Sequence, residues 1–366
     1  MKGLMKYLSP FAPDISGATA VLFGMKGLIV IIDAGGCTGN VCGFDEPRWK
    51  MEKSAIFSAG LRDLDAILGR DEAMMRKVGD VLGIMDGAEF LALVGTPVPS
   101  VIATDYQALK RMGQRKFGIR TLTIPTTGME LYDKGQERAY LELLREYRSS
   151  DSMTVDGNNS ECPLSEGVTM DAGDSAESGS GALGILGATP MDLLESDTVE
   201  MLRERVSGCG GSDVRVYGED VGDFAFAPHF RENLVISPSG LAPAKYLEEK
   251  YGVTYCVRYP LPDAFADYLL GDIDSGKLLI VHQAVLAETL RVEIEKARPF
   301  VRCDTATFFM PFGNSTALRE EDDFIELVRD GGYDAVIGDP LLERAVSRSK
   351  MRFISLPHFA VSGEPM

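Results

Sequence analysis

The stretch Gly27-Leu-Ile-Val-Ile-Ile-Asp33 passes directly into Ala34-Gly-Gly-Cys-Thr-Gly-Asn-Val-Cys42. Its first part is an unbroken apolar run rich in β-branched residues. Such a run has no polar face to turn to water, so it reads as a strand buried on both sides of a parallel sheet. The second part is a glycine-rich turn. Gly35, Gly36, Gly39 and Gly43 let the backbone approach a bulky group closely. The turn lies beyond the carboxyl end of the strand, where open α/β sheets place their ligands. Cys37 and Cys42 sit inside it. Backbone N–H groups and a helix N-terminus beside a thiol lower its pKa, and soft thiolates select iron–sulfur clusters, zinc or copper(I). Two cysteines fill only half of the four thiolate positions of an iron–sulfur cluster. On spacing alone, a turn carrying two buried thiols fits as well.

Outward from this segment, strands and helices alternate. Residues 52–68 have the spacing of an amphipathic helix, with Ile56, Ala59, Leu64, Ile67 and Leu68 mostly on one face. Residues 89–94 read as a second strand, followed by helices opening at Tyr106 and over 136–147. Residues 183–187, 214–217 and 233–236 read as strands, with helices over 191–206 and 243–251. A third set has strands at 277–281, 300–303 and 335–337, with helices over 284–296 and 322–329. This rhythm predicts an α/β chain of three Rossmann-like, doubly wound subdomains with parallel sheets. The expected units are 1–148 with the Cys37 loop, 182–275, and 276–366, whose last segment packs back on the body. A length of 366 residues suits two or three domains at about 150 residues each.

Residues 149–181 read as an acidic flexible linker. From 149 to 202 there is no Lys or Arg but there are eleven Asp or Glu, out of a net charge of −18 for the whole chain. Residues 150–181 are rich in Ser, Gly and Asp and have no apolar period with which to bury themselves. Limited proteolysis should cut there first, and deletion should leave folding intact; full protection of the segment would contradict this reading. The acidic balance argues against nucleic acid or an anionic membrane as partner, since both need a basic surface. The most apolar stretch, 17–32, is interrupted by Lys26 and too short to span a bilayer. Pro10, Pro13 and Asp14 break any leader-like pattern, so a cytoplasmic location is expected.

Familiar catalytic signatures are missing: no P-loop, no H-E-x-x-H, no C-x-x-C, no G-x-S-x-G and no G-x-G-x-x-G. Six cysteines in this length are no disulfide scaffold. Cys162 lies in the linker, Cys209 in a glycine-rich turn, and Cys256 reads as a half-buried thiol in an alternating run. Trp49, just past the cysteine loop, reads as a packing or interface aromatic.

The loop Gly35-Gly36-Cys37 after a hydrophobic strand resembles the cluster-binding loop of the nitrogenase component 1 family. That family holds the molybdenum–iron protein subunits, their cofactor-assembly homologues, and the dark-operative protochlorophyllide and chlorophyllide reductases. Further similar pieces follow in order: Ser58-Ala-Gly-Leu-Arg-Asp-Leu-Asp-Ala-Ile-Leu-Gly69, Leu93-Val-Gly-Thr-Pro97, Ile124-Pro-Thr-Thr-Gly128, Asn233-Leu-Val235 and Leu247-Glu-Glu-Lys-Tyr-Gly252. The resemblance implies three Rossmann-like subdomains, a metallocluster, electrons from a separate ATP-dependent iron protein, and reduction of a multiply bonded or thioether substrate.

The departures define the site. Of the three cysteines that the family's cluster-binding subunits carry, only Cys37 has a counterpart; Pro13 and Thr96 stand at the other two positions, and Cys42 is extra. The family's molybdenum–iron cofactor is held by a Cys and a His. Ser237 stands at the first position and His358 lies near the second. The resemblance therefore implies no molybdenum–iron cofactor. It implies an iron–sulfur cluster of [4Fe–4S] type beside Gly35 and Gly36, with Cys37 and Cys42 as metal ligands. A homodimer or a homologous second subunit would complete the coordination. His358, Ser237 and Thr96 are candidate substrate or cofactor contacts; a structural histidine and a loop hydroxyl are the plainer readings of the first two. Two other functions stay open: a metallocluster or tetrapyrrole carrier or assembly scaffold, and a non-catalytic homologue that has lost the cluster.

Overall fold

In the computed structural model, residues 5–48, 54–69, 71–85, 87–147, 181–194, 197–207, 213–347 and 351–363 are described. The acidic segment except Gly181, and Trp49, Cys162 and Cys209, lie outside them.

Three all-parallel sheets follow one another along the chain. The first holds β1 (Leu28–Ile31), β2 (Ala55–Ser58), β3 (Phe90–Val94) and β4 (Arg120–Ile124), in the order β2-β1-β3-β4. The second holds β5 (Leu183–Leu186), β6 (Val214–Val216), β7 (Glu232–Val235) and β8 (Thr254–Val257), in the order β6-β5-β7-β8. The third holds β9 (Ser275–Val281), β10 (Phe300–Thr307), β11 (Thr316–Ala317), β12 (Ala335–Gly338) and β13 (Arg352–Ser355), in the order β11-β10-β9-β12-β13. The fold is thus the predicted α/β arrangement of three Rossmann-like parallel sheets. Strand order reverses between β1 and β3, between β5 and β7, and between β9 and β12. Such reversals open a crevice at the carboxyl edge of a sheet.

In inner strands such as β1 and β5, alternating side chains enter different cores, which is why they read as apolar runs, whereas β10 alternates exposed and buried residues over its first half. On β1, Leu28 and Val30 pack with Met75 and Leu109, whereas Ile29 and Ile31 face the opposite core. That second core also takes Leu186 of β5 and Val235 of β7, so the first and middle sheets share it. The other face of the middle sheet, through Ile185 and Leu234, shares a core with Leu278 and Ile280 of β9.

Two connections set the geometry of the site. The Asp14–Leu22 helix has all nine residues buried, and it crosses the Tyr132–Glu146 helix with backbones in contact. A Cβ on Gly17 would lie 1.8 Å from the Tyr132 carbonyl oxygen, and one on Gly135 would lie 1.7 Å from that of Asp14. The buried Asp14 carboxylate accepts the Thr127 N–H (2.9 Å) and the Gly128 N–H (2.7 Å), fixing the turn after β4. Next to this crossing, the buried Glu321 carboxylate accepts the N–H groups of Lys6, Tyr7 and Leu8, strapping residues 6–8 to the third unit. The Ala12 N–H donates to the Ala360 carbonyl (3.0 Å) beside it.

Two expected helices are corrected. Residues 52–68 are not one helix: β2 pairs with β1 and the separate Asp63–Leu68 helix follows. The chain turns at Gly60, whose φ of +61° suits glycine. The 3.6-residue spacing across that turn was coincidental, since Ile56 is buried while Leu64, Ile67 and Leu68 are exposed. The helix expected from Met191 begins only at Val199, because Thr189 and Asp192 instead close a hydrogen-bonded turn after β5 (Asp192 N–H to Thr189 carbonyl, 2.9 Å).

Candidate functional site

The cysteine loop leaves the end of β1 through Gly35, at φ +118°. Cys37 lies on the short Gly36–Asn40 helix, and the backbone then widens into a π-helical turn, Val41–Asp45, that carries Cys42. The Glu46 N–H to Val41 carbonyl bond (3.0 Å) closes that turn. Such widened turns cluster at functional sites. Both ends are anchored. Asp33 accepts the Thr38 N–H at the start (2.9 Å). At the far end the Ser16 hydroxyl donates to Asp45 (2.5 Å), and Arg48 spans Glu46 (2.8 Å) and the Ala20 carbonyl (2.6 Å).

Both thiols are half-buried and unpaired by any disulfide. Their expected activation is not seen. Burial, then the Asp33 carboxylate, push Cys37 above the ordinary thiol range, and burial with Asp33 and Glu46 does the same for Cys42. Burial and the Asp33 carboxylate outweigh the one backbone hydrogen bond that favours the Cys37 thiolate. Cys303 is buried on β10 and Cys256 is exposed on edge strand β8, both away from this loop.

Thr96 lies across the strand reversal from the cysteine loop, at the end of β3. It is fully buried, and its hydroxyl donates to the Ile32 carbonyl (2.8 Å), welding the two strand ends together. Pro13 caps the Asp14–Leu22 helix. Neither can replace a thiolate. Among the described residues no group of three or more His, Cys, Asp or Glu is placed to hold a metal ion. The chain therefore does not supply a complete ligand set for the metallocluster its resemblance implies; its two thiols fit only half of a shared one.

Ser237 and His358 lie at the carboxyl edges of the middle and third sheets, and both are enclosed. The Ser237 hydroxyl pairs with that of Ser239 (2.7 Å), and a Cβ on the facing Gly187 would sit 2.4 Å from it. His358 belongs to a buried joint between all three sheets. Its Nε2 lies 2.9 Å from the Met191 carbonyl and 3.3 Å from the Tyr132 hydroxyl, and its ring stacks on His282 with centroids 4.2 Å apart. Tyr132 donates to Asp192 (3.1 Å), which also accepts from Gln136 (2.8 Å) and Thr189 (2.8 Å). A cofactor that replaced this joint would have to displace a hydrogen-bonded interior, so the molybdenum–iron cofactor does not fit here. His282, Tyr132, Gln136 and Asp192 were not singled out from sequence; His282 directly follows the predicted strand 277–281, which was the one signal for it.

The joint gives the fold a definite pH response. Burial lowers His282 from 6.5 to about 4, and burial together with His282 holds His358 well below the ordinary histidine value. The unfolded chain takes up these protons below 6.5, so each ring contributes stability that is present above 6.5 and lost as pH falls towards 4. Asp192 acts in the opposite sense. Burial raises it from 3.8 to about 7 against its three hydrogen bonds, so its contribution is present in acid and lost as pH rises through 7. Asp192→Asn removes the opposing contribution. The Tm of that variant should fall more steeply with acid than the wild type's between pH values of about 6.5 and 5; equal slopes would contradict the assignment.

A family model for nitrogenase component 1 type oxidoreductases matches residues 13–262, and the chain belongs to that family. Among solved structures, nitrogenase Cp1 at pH 6.5 aligns with a TM-score of 0.66 at 10% identity, covering 98% of this chain and 87% of that one. Nitrogenase Cp1 at pH 5 aligns with a TM-score of 0.61 at 12% identity, covering 98% and 77%. At such identities the likeness is one of fold. No curated protein matches the chain. Among the described residues no helix is long and apolar enough to cross a membrane.

Proposed function

We propose that this chain is one subunit of a nitrogenase-like oxidoreductase, working in the cytoplasm. In this reading the carboxyl edge of its first sheet meets a second subunit, a copy of itself or a homologue, and Cys37 and Cys42 supply half of the thiolates for an iron–sulfur cluster between them. The cluster would supply electron transfer, with electrons from an ATP-dependent iron protein. The 1–148 unit carries the interface, and the 182–275 and 276–366 units hold its helices in place.

One observation carries the reading. The segment after each of the four strands of this sheet exposes large apolar side chains: Phe44 after β1, Leu64, Ile67 and Leu68 after β2, Val98, Val101 and Ile102 after β3, and Met129 after β4. These are more than half of the large apolar side chains exposed among the described residues. Apolar surface gathered on one edge is the mark of an interaction face, and here it surrounds an incomplete pair of thiols. The Phe44→Glu, Val101→Glu double variant should leave the fold unchanged, because both side chains are already in solvent. It should turn a dimer into a monomer and lose the iron with it. A variant that stays dimeric and iron-loaded would refute the interface.

Thr96 favours one rival. Its hydroxyl is already spent on Ile32, and Pro13 offers no ligand at all, as in a homologue that kept the fold and dropped the cluster. Iron and acid-labile sulfide analysis after anaerobic reconstitution separates the two readings.

A further inference from the structure

Asp33 ends the first strand with its carboxylate almost wholly buried, at 1% exposure. Burying a charge is costly unless it is fully hydrogen-bonded, and this one is. One oxygen accepts the Thr38 N–H (2.9 Å); the other accepts the hydroxyls of Thr38 (3.1 Å) and Ser58 (2.5 Å). Ser58 closes β2, and its oxygen also accepts the Gly60 N–H (3.0 Å). A single side chain therefore joins the end of β1, the end of β2 and the helix that carries Cys37.

Apart from Cys37 and the buried Val41 at its end, which touch the core between the first two sheets, that helix has little else to hold it. It is five residues long, buries none of them, and opens on two glycines. A Cβ on Gly36 or Gly39 would touch nothing within 4 Å. Helices this short do not persist on their own hydrogen bonds. The orientation of Cys37 is thus set from outside the helix, at its start by Asp33 and beyond Cys42 by the anchored π-helical turn.

We propose that Asp33 is the positioning residue of the cysteine loop, fixing through Thr38 and Ser58 the direction in which Cys37 and Cys42 leave the sheet edge. This rests on the reading that the two thiols serve a shared metal group. Asp33→Ala frees the Thr38 amide and releases the helix. Asp33→Asn keeps the arrangement, since its amide oxygen accepts the Thr38 N–H while its NH₂ donates to the hydroxyl oxygens of Ser58 and Thr38.

The test uses the full-length reduced chain with cobalt(II) as the probe, read by its thiolate charge-transfer absorption. Hydrogen exchange at the Thr38 amide is followed in parallel. Partners that orient metal ligands are worth about 10–100-fold in affinity, so Asp33→Ala should bind cobalt at least about tenfold more weakly, and Asp33→Asn should bind no more than about threefold more weakly than wild type. The Thr38 amide should be protected in wild type and Asp33→Asn and exposed in Asp33→Ala. Cobalt binding by Asp33→Ala at wild-type strength would overturn the proposal. If Asp33→Ala fails to fold, Ser58→Ala and Thr38→Val each remove one arm and should each weaken cobalt binding; two unaffected variants would overturn it as well. A wild-type chain that holds neither cobalt nor iron defeats the metal reading itself. In that event an unaltered Thr38 amide in Asp33→Ala would show separately that Asp33 does not hold the helix.

Discussion

Gly135→Ala is expected to prevent stable folding. The added methyl would lie 1.7 Å from the Asp14 carbonyl oxygen, 2.6 Å from its carbon and 2.8 Å from its Cα. All three are backbone atoms, so no flexible side chain can swing aside. The Asp14–Leu22 and Tyr132–Glu146 helices would have to separate, straining the Asp14 bonds to Thr127 and Gly128 and opening the core shared by the first two sheets. Overpacking against backbone with loss of buried hydrogen bonds costs upwards of about 4 kcal/mol. That is a large part of the roughly 5–15 kcal/mol that holds a domain together. Gly39→Ala, where a Cβ meets nothing, should change stability by less than about 1 kcal/mol. Urea denaturation of the two variants checks this, and a Gly135→Ala midpoint equal to that of Gly39→Ala would show that the helices do not cross as described.

Cys37→Ala is expected to abolish iron binding while leaving the fold intact. The thiol is half-exposed on a helix that buries no residue, so its removal should cost less than about 1 kcal/mol. A four-thiolate cluster shared by two chains loses two of its ligands at once when each copy loses Cys37. Cys256→Ala should keep its iron, because its side chain lies on the outer strand of the middle sheet. Cys303→Ala should keep iron too but lose stability, because that thiol is buried on β10. Iron retained by Cys37→Ala at the wild-type level would place the cluster elsewhere or show that bound iron is unspecific.

What could be read from sequence follows from burial. The inner strands β1, β3, β5, β9 and β12 were legible because a strand packed on both faces is forced towards a continuous apolar run, while inner β10 was read only over its first four residues, where exposed and buried positions alternate. The Asp14–Leu22 helix was not legible for the same reason turned round: buried on every side, it has no amphipathic period to betray it. β2 was misread because it is an edge strand, with Ile56 inward and Phe57 outward, and its short pattern merges with the helix beyond Gly60. β13 is also an edge strand and was missed. Cys37, Thr96, Ser237 and His358 could be picked out as candidates because each lies shortly after a strand or at a matching motif. The contacts that define their roles could not. Tyr132 reaches Asp192 across 60 residues and His358 across 226, and Asp33 finds Ser58 on a strand that the sequence presented as helix.

The central claim is that two chains share one cluster at the carboxyl edge of the first sheet. The most direct measurement is the iron and acid-labile sulfide content of the anaerobically reconstituted wild-type protein, taken with its mass by sedimentation equilibrium. If the partner is a second copy, the account predicts a dimer holding about four iron and four sulfide per pair of chains. If it is a homologous subunit, the same content appears only in the complex with that subunit. A monomer without iron, unchanged by any second subunit, would contradict the account and leave a family member that has kept its three sheets and lost its chemistry.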